Sequence, residues 1–235
     1  MKVLFAGPTL SGLTPDLDGI TLRPPARLGD IADAVLEGAA AIGLVDGYFD
    51  AVAAPWHKEI LYALASGVNL LGSSSMGALR AAECAAFGMR PIGAIALAYL
   101  SGALDDDAAV ALCHGPAELG YPPLTEPLVT VAATLDHLLA LGLVDAAEHG
   151  RLVQRAQHLN FRDRTVEALF AGADSAARIA YRQHRVDSKA RDALQLIEAL
   201  RQCPQTRGRP ADIGLPATLF TTDVLPALER ARQAA

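Results

Sequence analysis

No apolar run in this chain is long and uncharged enough to span a bilayer. No secretory signal is legible either. Met1-Lys2-Val3-Leu4-Phe5-Ala6-Gly7-Pro8 has one lysine and a very short apolar run, so it reads as a first strand, and the expected location is cytoplasmic. Cysteine is scarce. Cys84, Cys113 and Cys203 are odd in number and widely spaced, with no C-x-x-C pair, which argues against a disulfide framework and a protein-ligated zinc. No metal and no cofactor is expected. Only three lysines are present, and the arginines are spread out apart from Arg201, Arg207 and Arg209. With a net charge of −6, this gives no sign of a nucleic-acid groove or an anionic membrane surface. Walker A and G-x-G-x-x-G patterns, internal repeats and low-complexity tracts are all missing.

What is present is a globular composition, 51% hydrophobic and 20% charged over 235 residues, enough for an α/β domain with a helical appendage. Lys2–Phe5, Ala41–Val45 and Val68–Leu71 read as buried strands, because they are short apolar runs ended by turn residues. Helices are expected from Asp30, from Pro55 to Ser66, from Met76 to Gly88 and from Pro91 towards Ser101. Residues 11–28, with glycine and several prolines, read as an irregular connection. Ala108–Gly115, after the acidic run Asp105–Asp107, reads as a fourth strand. Beyond residue 120 the pattern turns helical: Leu128–Leu141, within Leu143–Phe161, a short piece at Thr165–Phe170, and Ser175–Arg201 broken near Val186-Asp187. A loose tail follows from Pro204 to Pro216. The expected fold is α/β and Rossmann-like, with a mainly parallel sheet and helices on both faces, followed by a helical C-terminal region. The expected division is an α/β core at residues 1–120 and a mainly helical region at 121–235, packed on or beside it.

Ligands of open parallel sheets bind outside the carboxyl ends of the strands. Those ends carry Gly7-Pro8-Thr9, Asp46-Gly47, Ser73-Ser74-Ser75 and His114-Gly115. The unit Val68–Met89 is strand, turn of tiny residues and helix, a form that offers backbone N–H groups at a helix start. Ser73-x-Ser75-x-Gly77 is close to the G-x-S-x-G nucleophile elbow, in which the N–H after the serine, here that of Met76, points at an oxyanion. Ser75 is equally readable as the N-cap of that helix, or as part of an anion nest. His57 or His114 is the candidate base, and Asp46 or the run Asp105–Asp107 the candidate orienting acid. Lys58 and Arg80 are candidate anion contacts. Arg80 and Glu83 are also spaced as an ordinary i, i+3 pair. Cys84 reads as a small core residue, and His137, His149, His158 and His184 carry no role.

These same residues carry a resemblance. D-G-x-F, P-x-H-K-E-I-L-x-A-L-x-x-G-V, S-M-G-A-L-R-A-A-E, F-G-M-x-x-I-G-x-I and Y-x-x-G followed by an acidic run and a histidine resemble the TfuA-like family. The matching positions are Asp46, Gly47, Phe49, Pro55, His57–Leu61, Ser75–Glu83, Phe87–Met89, Gly93, Tyr99, Gly102 and, more loosely, Asp107 and His114. The resemblance spans roughly residues 40–130. This chain departs from the pattern at Ala109, where a glutamate is usual, at Cys84, where leucine is usual, and after Val129, where polar residues are usual.

The resemblance implies a role beside YcaO-type enzymes, which modify peptide backbone amides with ATP, in thioamide formation. It further implies that the protein supplies sulfide by hydrolysing the C-terminal thiocarboxylate of a ThiS-like sulfur-carrier protein, with the precursor peptide as a further partner. On that reading Ser75, His57 and Asp46 are the catalytic set. Lys58, Arg80, Met76, Gly77, Glu83 and His114 contact substrate, and a glycine-ended tail threads past Gly72 and Gly77. Two other classes compete: a non-catalytic adaptor docking carrier or precursor onto the YcaO enzyme, and a nucleotide-binding module using Gly7-Pro8-Thr9 and the serine turn.

Overall fold

The computed structural model describes residues 1–48, 52–210, 212–215 and 217–233. Phe49, part of the resemblance, and Pro216, the end of the expected tail, lie outside them.

Five strands form one all-parallel sheet: β1 (Lys2–Phe5), β2 (Ile20–Arg23), β3 (Ala41–Leu44), β4 (Asn69–Gly72) and β5 (Arg90–Pro91), in the order β2-β1-β3-β4-β5. Every residue of β1 and β3 is buried, so neither strand alternates, as expected where both faces are covered. On one face Val3, Phe5, Ile42, Leu44 and Leu70 pack against α1 (Asp30–Leu36), α2 (His57–Ala65) and α3 (Met76–Cys84). On the other, Leu4, Ala41 and Leu71 meet Ala193, Leu196, Ile197 and Leu200 of α9 (Ser188–Gln202). A β-carbon at Gly43 of β3 would stand 2.6 Å from a Leu196 methyl, so α9 lies hard on the sheet. The second face is therefore covered by a helix more than a hundred residues downstream in sequence.

Along the chain between α3 and α9 come α4 (Ala94–Ser101), α5 (Leu128–Ala140), α6 (Ala146–His158), α7 (Val166–Leu169) and α8 (Ser175–Gln183). Val131, Leu135 and Leu138 of α5 share a core with Leu152, Leu169 and Tyr181. Asp187 caps α9 by accepting from Ala190 N at 3.0 Å, which fixes the break expected near Val186-Asp187. After the stretch 204–215, whose described residues hold no helix or strand, α10 (Leu225–Gln233) returns to α1 through Arg232 and Asp33 at 2.8 Å.

Two expectations are corrected. Residues 11–28 contain β2, an edge strand of four residues whose outer side chains Thr21 and Leu22 face solvent, framed by prolines that hid it. Ala108–Gly115 is not a strand. Asp106 accepts from Ala108 N at 2.9 Å and turns the chain into a single 3-10 turn, Asp107–Ala109. The place beside β4 belongs to β5, and His114 makes only an isolated antiparallel bridge to Pro123.

Candidate functional site

The strand order reverses between β1 and β3, and at that switch point the chain leaves β1 through Gly7-Pro8-Thr9 and β3 through Asp46-Gly47. Asp46 is fully buried there. Its carboxylate accepts from Gly7 N at 2.8 Å, from Thr9 N at 3.0 Å and from the Thr9 hydroxyl at 2.6 Å. One buried acid thus locks the turn after β1 onto the end of β3.

Next to it lies the serine turn after β4. Ser73 N donates to Leu44 O at 3.1 Å, and Ser74 stands at φ +65°, a left-handed conformation for a residue with a side chain. The small residues here serve close packing. A β-carbon at Gly77 would lie 1.8 Å from Leu44 O, and one at Gly72 would lie 2.1 Å from Gly77 O. The expected path of a substrate tail past Gly72 and Gly77 is therefore corrected: both are filled by backbone. The Gly77 N–H is also spent, on Val45 O at 3.1 Å. The Met76 N–H, first in α3, has no acceptor among the described residues.

Ser75 occupies the N-cap position of α3, but its hydroxyl makes no capping bond. It accepts instead from Lys189 Nζ at 3.1 Å. Lys189, in the first turn of α9, is 2% exposed and also donates to Val110 O at 2.9 Å. Burial pushes its amine below the ordinary lysine value, against the opposing pull of Asp46 and Asp187. Ser74 Oγ donates to Lys189 O at 2.8 Å, tying the serine turn to α9.

Ser75, Asp46, Lys189 and His114 line one cavity of about 510 Å³, with Pro8 and Tyr48 at its wall. His114 Nδ1 lies 2.8 Å from Gly115 O, a carbonyl that can only accept, so Nδ1 donates in this bond. Tyr121 meets the His114 ring edge-on, with centroids 5.5 Å apart.

His57, Lys58, Arg80 and Glu83 do not line this cavity. His57 is half exposed and bonds Glu83 Oε2 at 2.8 Å. Arg80 reaches the same oxygen at 2.7 Å and Pro55 O at 3.0 Å. Burial pushes the Glu83 carboxyl up, but the bonds from His57 and Arg80 outweigh it and hold the group below its usual range. Half-buried Lys58 joins no hydrogen bond or ion pair among the described residues. Asp46 is thus paired with Thr9 rather than with His57, and the serine with a lysine rather than a histidine. Glu59, between His57 and α2's core face, is no solvated residue. Fully buried, it caps two helices, accepting from Trp56 N at 2.8 Å and from Gly29 N and Ile31 N at 3.1 Å. Lys189 had little to mark it in the sequence beyond the rarity of lysine and the capping pair Asp187-Ser188 before it. Cys84 is a buried core thiol, pushed up to about 11 by burial.

Fold and cavity define an open parallel α/β protein with a cleft at the carboxyl end of its strands, where Asp46, His114 and Lys189 stand among apolar side chains around a serine at a helix start. The chain belongs to the TfuA-like family, whose model matches residues 46–165. Membership implies a role alongside YcaO-type enzymes in thioamidation. No curated protein matches the chain. Among the described residues no helix is long and apolar enough to cross a membrane.

Proposed function

We propose that this protein hydrolyses the C-terminal thiocarboxylate of a ThiS-like sulfur-carrier protein and supplies the sulfide to a YcaO-type enzyme, which installs it in a precursor peptide. Attack on a thioacyl carbon builds a tetrahedral oxyanion, which needs a fixed N–H donor and a reacting oxygen beside it. The observation that carries the reading is Ser75: buried, freed from capping α3, facing a cavity of about 510 Å³ and followed by the Met76 N–H. The carrier's extended tail would enter past Pro8, Tyr48 and His114, with its thiocarboxylate towards Ser75. Arg80 and Glu83, being outside this cavity, would act in docking rather than chemistry.

The test mixes the purified protein with a thiocarboxylated carrier and follows sulfide. Release by the protein alone, lost on Ser75→Ala and kept on His57→Ala, supports the reading.

An adaptor that only docks carrier or precursor onto the YcaO enzyme is the second reading. It is favoured by the exposed apolar side chains Phe87 (48%), just after α3, and Leu97 (53%) and Leu100 (47%) on α4, which packs against the helix that carries Arg80 and Glu83. On that reading sulfide appears only when the YcaO enzyme and ATP are added.

A further inference from the structure

We infer that α4 is the interface of a homodimer: its exposed apolar face meets the same face of a second copy, and Arg90 of each copy enters an acidic hollow beside α4 of the other. The inference goes beyond the proposed function and does not depend on it.

The argument starts from the composition of α4. It reads Ala-Ile-Ala-Leu-Ala-Tyr-Leu-Ser, without a charged residue. A helix that is apolar all round belongs in an interior, because it has no face suited to water. Within the chain only part of it is covered. Ile95 and Ala96 pack against Ala78, Leu79 and Val110. Leu97 and Leu100 stand exposed, and so does Phe87 in the turn before β5. Large apolar side chains grouped in this way mark an interaction surface.

The helix is fixed at both ends. At its start, fully buried Asp192 of α9 accepts from Ile95 N at 2.8 Å. At its end the Tyr99 hydroxyl donates to Asp106 O at 2.8 Å, which holds the acidic turn against the helix. A face already held in place loses little freedom when it is covered.

Charge points to what covers it. A hollow of about 310 Å³ at the end of α4 is lined by Leu79, Tyr99, Leu100, Leu104, Asp105 and Asp107. Glu83 reaches it too, but His57 and Arg80 already occupy that carboxylate. Exposed Asp105 and Asp107 join no ion pair among the described residues, and neither does exposed Arg90 on β5. The stretch from Phe87 to Asp107 thus presents an apolar helix with an unpaired cation before it and unpaired anions after it. Such a surface is complementary to itself. A two-fold axis at α4 brings each Arg90 to the acidic hollow of the other copy, so the favourable contact is made twice. The copies would not join by extending the sheet. β5 is its outer strand, but it is two residues long, and Pro91 has no N–H to give. The hollow shares no lining residue with the cavity around Ser75, so the contact makes no use of that site.

The experiment weighs the full chain in solution by sedimentation equilibrium. Wild type is expected at twice the 24.6 kDa of one chain. Arg90→Asp, and the double variant Asp105→Arg/Asp107→Arg, each set like charges against one another twice across the axis. Each should raise the dissociation constant roughly 100-fold, with an unchanged circular dichroism spectrum. Mixed in equal amounts, the two should regain the wild-type dimer, because every contact across the axis is again between opposite charges. Leu97→Glu should dissociate as well, and neither charge variant should rescue it. A wild type that sediments as one chain, a dimer indifferent to both charge variants, or a mixture that stays dissociated overturns the inference. So does a wild type that stays single and binds a YcaO-type enzyme through Leu97, which would make α4 the docking face of the adaptor reading.

Discussion

Ser75 and Asp46 show how a residue's work is set by what its neighbours leave unsatisfied. Asp46 satisfies two backbone N–H groups and a hydroxyl while itself buried, which makes it the pin of the switch point. Asp46→Ala leaves those donors buried and unpaired, at a cost on the order of 3 kcal/mol. Urea unfolding should show this as a lower midpoint with the slope unchanged. Ser75 was legible in the sequence, because a serine between tiny residues at a strand-to-helix turn is a local pattern. Asp46 was legible as a strand-end acid, but not its partner, since Thr9 is 37 residues away. Lys189 was not legible at all. The contact joins positions 114 residues apart, and local pattern carries no such distance. The H-K-E block, by contrast, was visible but led elsewhere: its histidine meets Glu83 at the surface, and its glutamate holds two helices together.

Helices and strands meet here through side chains that are missing or shared. Gly77 lets the first turn of α3 touch the end of β3. Gly77→Ala forces a β-carbon to within 1.8 Å of Leu44 O, so it should cost about 3 kcal/mol or more and displace the Met76 N–H. A fall in thermal midpoint together with loss of sulfide release would register both effects. Glu59 is shared by α1 and α2. Burial raises its carboxyl from about 4.5 to about 7, against the bonds from Trp56, Gly29, Ala32 and Ile31. The folded chain therefore binds more protons than the unfolded chain between those values. Stability from this group is full below pH 4.5 and is lost as pH rises through 7. The loss over that window is about 3 kcal/mol. Chemical denaturation at pH 5 and pH 8 should show the decline in wild type and a flatter profile in Glu59→Gln. Among the elements, long periodic segments such as α5 and α9 were readable, and so were β1, β3 and β4. The edge strands β2 and β5 were not: four and two residues give too short a window for any periodicity, and prolines sit in or beside both. The apolar run at 108–115 read as a strand because buried loops and buried strands share one composition. Its Val110 is buried against α3 and α4.

The whole molecule is held by its ends. α9 covers the second face of the sheet, and it also carries Lys189 to the serine turn, so one helix both completes the core and furnishes the cavity. Leu196, Ile197 and Leu200 at roughly 2 kcal/mol each contribute about 6 kcal/mol, comparable with the net stability of a domain. A chain ending at Val186 should therefore lose its cooperative thermal transition and bind a hydrophobic dye, although it keeps all of the family-matched stretch 46–165. The class of fold was legible from the alternation of strands and helices. That a late helix would cover the sheet was not, because an amphipathic stripe says that a face is buried but not against what. The account's central claim is that this protein by itself releases sulfide through Ser75. The most direct test is the rate of sulfide release from a thiocarboxylated carrier by the purified chain, without a YcaO enzyme or ATP. The account predicts turnover by wild type and a loss of at least 100-fold in Ser75→Ala. Absence of sulfide until the YcaO enzyme and ATP are added, or an undiminished rate in Ser75→Ala, would contradict it.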